Sequence, residues 1–498
     1  MQVLLTTEGT YPHYPGGVSV WCDQLVRNLS EVSFHVLAIT HSPSQPQRFP
    51  YPANVLSGFP LPLWGTEEPG WCAGDFAQRY RRKLAVTGAV LKERFAPAFQ
   101  LAVTELLAGS EANARLLGAT LHQLHALFEE VDYAAVMESE TAWRVFLAAV
   151  ERHSSGGAQP SLEEVTTWMR WLTRYLAVLS VPLPRVDLVH SSFAGLAGVP
   201  GVLAKLGTGA RYLLSEHGIF LRELYLTLGR SREGERNRRF LLHLNRALVK
   251  MSYHYADLIT SLGEFNRKWQ IRFGAPAGRI EYLANGVDPE RFAPAPQRLP
   301  QRLTVVTMAR ISSIKGIDTL VRAAALVREK AGDVHFRVCG DVADAEYFRT
   351  IQALIDEHRL RENFTFGVAT DVVAAYQEAH VFCLPSNTEG MPYSILEAML
   401  CGCPVVATDV GNVAETLGNT GIVVSPNNPA QLAEALLWLL DAREGASRRQ
   451  RLALKALKRA HTHYTVDRMA NRIRQIYSRL TAAPHRQAEP CTRNPQFA

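Results

Sequence analysis

The chain has 498 residues, 47% hydrophobic and 20% charged, and its 53 basic against 47 acidic residues leave a formal net charge of +6. That length exceeds what a single hydrophobic core ordinarily fills, so two domains are expected. The mild basic excess excludes the charge signature of a dedicated nucleic-acid binder, while it suits an anionic substrate or a lipid surface.

Seven cysteines, at Cys22, Cys72, Cys339, Cys383, Cys401, Cys403 and Cys491, form no disulfide framework and no pair of metal-spaced pairs. They read as buried thiols in a reducing compartment. The opening Met-Gln-Val-Leu-Leu-Thr-Thr-Glu lacks the basic start and the long apolar run of a signal peptide. No stretch approaches the roughly 20 apolar residues of a spanning helix. The expectation is a soluble cytoplasmic protein, peripheral to the inner face of the membrane if it meets a membrane at all.

In chain order, residues 3–7 read as a short buried strand. A loop with Pro15, Gly16 and Gly17 follows, then Val18, Trp21, Leu25, Val26 and Leu29 at helical spacing, then a strand over 34–40. This opening predicts a doubly wound α/β domain. Residues 75–180 differ: 81–107 and 162–179 carry helical periodicity with few β-branched clusters, which predicts a helical insertion. Strands resume at 187–190 and 211–217, a helix at 237–255 leads into a strand at 257–261, and the segment 280–287 closes the half.

Residues 293–300, rich in proline, read as a linker. Strands at 304–309, 334–339, 363–366, 381–385 and 404–408 alternate with helical segments, as a second parallel sheet requires. The predicted fold class is therefore α/β, with two Rossmann-like domains at 1–292 and 301–464. A terminal amphipathic helix at 465–480 is expected to pack back on the first domain, followed by a disordered tail at 481–498.

The strongest chemical signal is Glu389-Gly-Met-Pro-Tyr-Ser-Ile-Leu-Glu397. A loop with Pro385, Ser386, Glu389 and Gly390 follows a buried strand, and a helix opens near Pro392. Its first-turn amides and dipole make an anion site. Glu389 stands ahead of the helix and Glu397 about two turns inside it, so one carboxylate can face a sugar and the other a ribose. Taken alone, such a pair is also what ordinary helix N-terminal charge looks like.

The second signal is Arg310-Ile-Ser-Ser-Ile-Lys315-Gly316, at the end of the second domain's first strand. Two cations there suit a diphosphate whose leaving charge must be neutralised, although a solvated basic loop has the same composition. The Gly16-Gly17 loop permits close approach of a ligand to a helix N-terminus, and a tight turn explains it about as well. His217, in Ser215-Glu216-His217-Gly218, ends a buried strand, and His190 ends another; strand-end histidines are more often structural, and His217 is the stronger site candidate. No Asp-x-Asp is placed like a metal site, and Asp341 and Asp344 have the wrong spacing, so no metal is expected.

Together these residues resemble glycosyltransferase family 4, the retaining enzymes of GT-B fold. Its glutamate–seven residues–glutamate motif matches Glu389 and Glu397, its arginine–lysine pair Arg310 and Lys315, its glycine loop Gly16 and Gly17, and its active-site histidine His217. The turn Asn285-Gly-Val-Asp288 is also similar. A narrower resemblance is to the PelF-type subgroup of exopolysaccharide transferases, through Glu8-Gly-Thr-Tyr-Pro-His-Tyr-Pro-Gly-Gly-Val-Ser-Val-Trp21 and Ser215-Glu-His-Gly-Ile-Phe-Leu-Arg-Glu223. The stretch 389–397 is closer to the general family than to that subgroup.

The resemblance implies retaining transfer from a nucleotide-diphosphate sugar, a UDP-sugar, to a growing polysaccharide or other glycan, without metal or other cofactor. The donor is expected in an interdomain cleft, with its nucleotide on the second domain and the acceptor on the first. Arg310 and Lys315 would hold the diphosphate and Glu397 the ribose. Glu389, the amides of Gly390, Met391 and Pro392, and Tyr393 would hold the donor, with His217, Gly16 and Gly17 contributing from the first domain. Implied partners are inner-membrane polysaccharide synthase or export proteins, and no nucleic acid. A nicotinamide-dependent oxidoreductase is disfavoured, because no G-x-G-x-x-G follows the first strand. A catalytically silent scaffold of a polysaccharide machine remains the rival reading.

Overall fold

The computed structural model describes residues 1–66, 75–154, 159–295 and 300–482. Part of the expected linker (296–299) and nearly all of the expected disordered tail (483–498) lie outside the described residues. The chain forms two compact units. The first comprises Met1–Ser261, Arg267–Glu281 and the chain from Ile473, and the second comprises Leu262–Asn266 and Tyr282–Arg472.

The first unit is built on seven strands: β1 (Gln2–Glu8), β2 (Ser33–Thr40), β3 (Val55–Pro62), β4 (Leu188–Ser191), β5 (Arg211–Glu216), β6 (Leu258–Ser261) and β7 (Ile280–Tyr282). Their spatial order is β3-β2-β1-β4-β5-β6-β7. Pairing is parallel from β3 through to β6, with Leu5 opposite both Val36 and His190. Strands such as Leu188–Ser191 are buried along their whole length because helices cover both faces. The edge strand β3 was not anticipated. Gly58, Pro60 and Pro62 argue against a strand, yet proline is tolerated at an edge where its missing N–H faces no partner.

Between β3 and β4 the chain makes the helical insertion. Its helices are Phe76–Leu84, Ala96–Ala108, Ala114–Glu130, Tyr133–Met137, Glu140–His153 and Leu162–Leu176, and all but the first share one core with the sheet and with the long helix Glu235–Tyr255. The run of helical periodicity over 81–107 is not one helix. The first helix ends at Leu84, and the chain turns helical again ahead of a wide turn at Val90–Phe95, where Ala96 N–H bonds back to Leu91. Pro97 follows and has no N–H to close a regular turn on Glu93, which favours the wider winding.

The second unit has six strands: β8 (Leu303–Met308), β9 (Val334–Cys339), β10 (Phe364–Gly367), β11 (Val381–Leu384), β12 (Val405–Thr408) and β13 (Ile422–Val424). Their order is β10-β9-β8-β11-β12-β13, all parallel. Both sheets thus contain the doubly wound order 3-2-1-4-5-6, with β7 added as a seventh strand in the first. The segment 280–287 begins as the strand Ile280–Tyr282. Beyond it the chain turns into the second unit: Asn285 Nδ2 donates to Met391 O at 2.9 Å and Val287 N to Tyr464 O at 2.8 Å. Those bonds place the division of the units at 281/282, ahead of the proline-rich segment.

The last helix, Val466–Ala482, counts with the second unit up to Arg472 and with the first from Ile473. Tyr477 on it is fully buried and its hydroxyl lies 2.7 Å from His190 Nδ1, within the first unit. Cys22, Cys339, Cys383, Cys401 and Cys403 are free and buried, while Cys72 and Cys491 lie outside the described residues. Among the described residues no helix is long and apolar enough to cross a membrane.

Candidate active site

In the second sheet the strand order reverses between β8 and β11. Ligands of open parallel sheets bind at such switch points. The loop after β8 carries Arg310 and Lys315, and the loop after β11 carries Ser386, Glu389 and Gly390. The structure brings the two loops together. Lys315 Nζ donates to Glu389 Oε1 at 2.6 Å, and the side chains are 18% and 9% exposed. The same carboxylate oxygen accepts from Ser386 Oγ at 2.6 Å.

The loops are also joined through backbone. Asn387 N donates to Ile314 O at 2.8 Å, and its Nδ2 to Ser313 O at 2.9 Å. Gly316, at φ +62°, lies so close to the β11 loop that a Cβ would stand 2.1 Å from Pro385 O. Only glycine fits there, for both its backbone angle and its space. Arg310 stays exposed and forms no hydrogen bond or ion pair with a described residue, which leaves its guanidinium available to an anion.

The helix after the loop is Tyr393–Leu400, with Pro392 at its N-cap. Glu397 is therefore little more than one turn inside it, not two. Pro392 also has no N–H to offer a ligand, so amides at this terminus come from Gly390, Met391 and Tyr393. Met391 is buried and its carbonyl is held by Asn285, while Gly390 O accepts from Asn412 N at 2.9 Å. Glu397 Oε2 accepts from the buried Tyr376 hydroxyl at 2.8 Å, and burial raises the carboxyl above its usual range. Glu389 and Glu397 thus have separate environments: one is paired with a cation, the other with a phenol.

In the first unit the switch point lies between β1 and β4. After β1 the chain loops to Gly16, the N-cap of the helix Gly17–Asn28. A Cβ on Gly16 would meet no atom within 4 Å, so the space above this turn is open. Trp21 on that helix lies against His217, with ring centroids 4.4 Å apart. Gly16, Gly17 and His217 are therefore parts of one region. His190 has the opposite character. Nδ1 meets the Tyr477 hydroxyl and Nε2 meets Ser215 Oγ, both at 2.7 Å, and burial pushes its pKa down to about 3. It is a neutral core histidine.

Two carboxyls went unrecognised in the sequence. Glu8 ends β1, accepts from Ala197 N at 3.2 Å beyond β4, and is raised by burial to about 7. Glu216 ends β5, accepts from Tyr253 Oη at 2.6 Å and Gln270 Nε2 at 3.3 Å, and is likewise raised by burial to about 7. An acidic last residue on a strand with an apolar middle, directly before a glycine or histidine, was the available signal. Among the described residues no three His, Cys, Asp or Glu side chains are grouped to hold a metal ion.

Comparison with known proteins places this geometry. Residues 1–278 match the family described as a domain of unknown function, DUF3492, and residues 302–442 match glycosyl transferases group 1. The chain is 29% identical over 310 residues to the GDP-mannose-dependent alpha-(1-6)-phosphatidylinositol monomannoside mannosyltransferase of Mycobacterium tuberculosis, covering 55% of this chain and 75% of that protein. Its fold is similar to sucrose-phosphate synthase from Thermosynechococcus elongatus, with a TM-score of 0.62 at 18% identity over 97% of this chain and 100% of that one. It is also similar to Anabaena HepE in complex with UDP-glucose, with a TM-score of 0.59 at 15% identity over 96% of this chain and 100% of that one. With more than half its length matched by DUF3492, the chain belongs to that family, and it is a glycosyltransferase of group 1 with the GT-B fold.

Proposed function

We propose that the chain is a retaining, metal-independent hexosyltransferase that moves a sugar from a UDP-sugar to a growing exopolysaccharide or related glycan, in the manner of PelF-type enzymes. The observation that carries this reading is the meeting of Lys315 and Glu389 at the switch point, with Arg310 exposed on the same loop as Lys315 and without a partner among the described residues. A diphosphate is the ligand that two cations and a helix N-terminus suit, and a carboxylate one hydrogen bond away suits a sugar hydroxyl.

In this reading the bond between the anomeric carbon and the diphosphate oxygen breaks, and the acceptor oxygen forms the new bond on the same face. The acceptor proton passes to the departing phosphate oxygen. Arg310 and Lys315 neutralise the charge that develops there. Glu389, fixed by Ser386, and the amides of Gly390 and Met391 hold the sugar, with Tyr393 beside them. Glu397, fixed by Tyr376, holds the ribose. In the first unit, His217, with Gly16 and Gly17, is assigned to ligand binding.

The test is a panel of UDP-, GDP- and ADP-sugars, scored for binding and for slow hydrolysis by the purified chain. The expected result is selective turnover of one UDP-sugar. Selective turnover of GDP-mannose, the donor for which the mycobacterial relative is named, would replace the UDP assignment. Absence of binding across the panel would favour the silent-scaffold reading.

A further inference from the structure

The helix Phe76–Leu84 at the start of the insertion buries none of its residues, although it is strongly two-faced. At 100° per residue, Phe76, Tyr80 and Leu84 share one stripe, and they are 81%, 53% and 63% exposed. Phe76 and Tyr80 stack, with ring centroids 6.0 Å apart. The same periodicity puts Arg79 and Lys83 along one flank of the stripe and Arg81 along the other. The helix contains no acidic residue, and Asp75 before it is used as its N-cap, accepting from Gln78 N at 2.8 Å.

The contrast with Leu162–Leu176 in the same insertion is direct. That helix turns Val165, Trp168, Met169, Leu172 and Leu176 into the core. The Phe76–Leu84 helix is instead held from behind, through Asp132 N donating to Arg82 O at 3.2 Å and through Ala85 and Val86 packing on the core just after it. Its apolar stripe consequently points outward. An outward aromatic and aliphatic stripe flanked on both sides by cations matches a lipid surface carrying negative charge: the rings enter the headgroup layer and the basic groups meet phosphates.

We propose that Phe76–Leu84 is an interfacial helix that attaches the protein reversibly to anionic membranes. Nine residues make a shallow and reversible anchor, not a span. This attachment goes beyond the transferase reading and does not depend on it, because its test involves no sugar donor.

The experiment is flotation of the full chain with phosphatidylcholine vesicles, with and without phosphatidylserine. Binding is expected only to the anionic vesicles and should weaken as salt is added. The triple variant Phe76→Ser, Tyr80→Ser, Leu84→Ser should lose about tenfold or more in binding, and so should Arg79→Glu, Arg81→Glu, Lys83→Glu. The stripe residues are exposed, so the first variant should melt at the wild-type temperature. Wild-type flotation by both variants, or no flotation of the wild type, overturns the proposal. So does a self-association that the first variant abolishes without any vesicle binding, which would assign the stripe to a second copy of the chain.

Discussion

Lys315 and Glu389 stand 74 residues apart in the chain, and their charged groups meet at 2.6 Å. Each comes from a loop at the carboxyl end of one of the two adjacent strands β8 and β11, where the sheet reverses its winding. A partly buried pair of this kind holds a loop in place when no ligand is present. It also fixes where a cation and a carboxylate are presented when one is.

That pairing separates the two cations by experiment. Arg310→Ala removes only a group that is exposed and has no partner among the described residues, whereas Lys315→Ala also leaves Glu389 without its cation. Each should lower turnover by about 10²–10³, the usual cost of losing one preorganised contact to developing charge. Lys315→Ala should in addition lower the melting temperature of the second unit, since it leaves a largely buried carboxylate without its cation. Steady-state transfer rates and calorimetry measure both. Near wild-type turnover in both variants would remove them from the leaving-group role.

Chelation gives an independent check. With two cations assigned to the diphosphate, transfer should proceed at an unchanged rate in excess EDTA. Loss of activity that magnesium or manganese restores would assign the diphosphate to a divalent ion instead.

Glu8 and Glu216 should shape the pH dependence of stability. Each folded-state carboxyl is raised to about 7 from 4.5. Between those values the folded chain keeps a proton that the unfolded chain has lost, so stability falls as pH rises, and the full penalty is present above about pH 7. For the buried Glu216 the penalty is of order 3 kcal/mol. Glu216→Gln should flatten the fall in the first unit's melting temperature between pH 5 and pH 8, and Glu8→Gln should flatten it partly. A variant whose melting profile parallels the wild type would show that the carboxyl is ionised throughout.

Much of the architecture was legible because its signals are local. The buried runs that became β1, β2 and β9, and the glycine turns ahead of helices, need only short windows of sequence. So does the order strand, basic loop, helix around Arg310 and Lys315. β3 was not legible, because Gly58, Pro60 and Pro62 disguise an edge strand whose hydrogen bonds run to one side only. The short β13, three residues at the far edge of the second sheet, was missed as well.

The two strand-end histidines show where local reading stops. His190 and His217 look alike in sequence, yet His190 is bonded on both ring nitrogens, by Ser215 from the neighbouring strand and by Tyr477 from the last helix, while His217 lies against Trp21 beside the glycine turn. Similarly, Phe76, Tyr80 and Leu84 announce an amphipathic helix, but nothing in the spacing says whether the stripe is buried. The sequence by itself determined the interior strands and most of the helices, and which residue types end up at strand ends, because those depend on periodicity over a few residues. Only the tertiary structure decided which strand ends are neighbours, which carboxyls are desolvated and which apolar stripe stays outside, because burial and charge pairing depend on contacts between segments far apart in the chain.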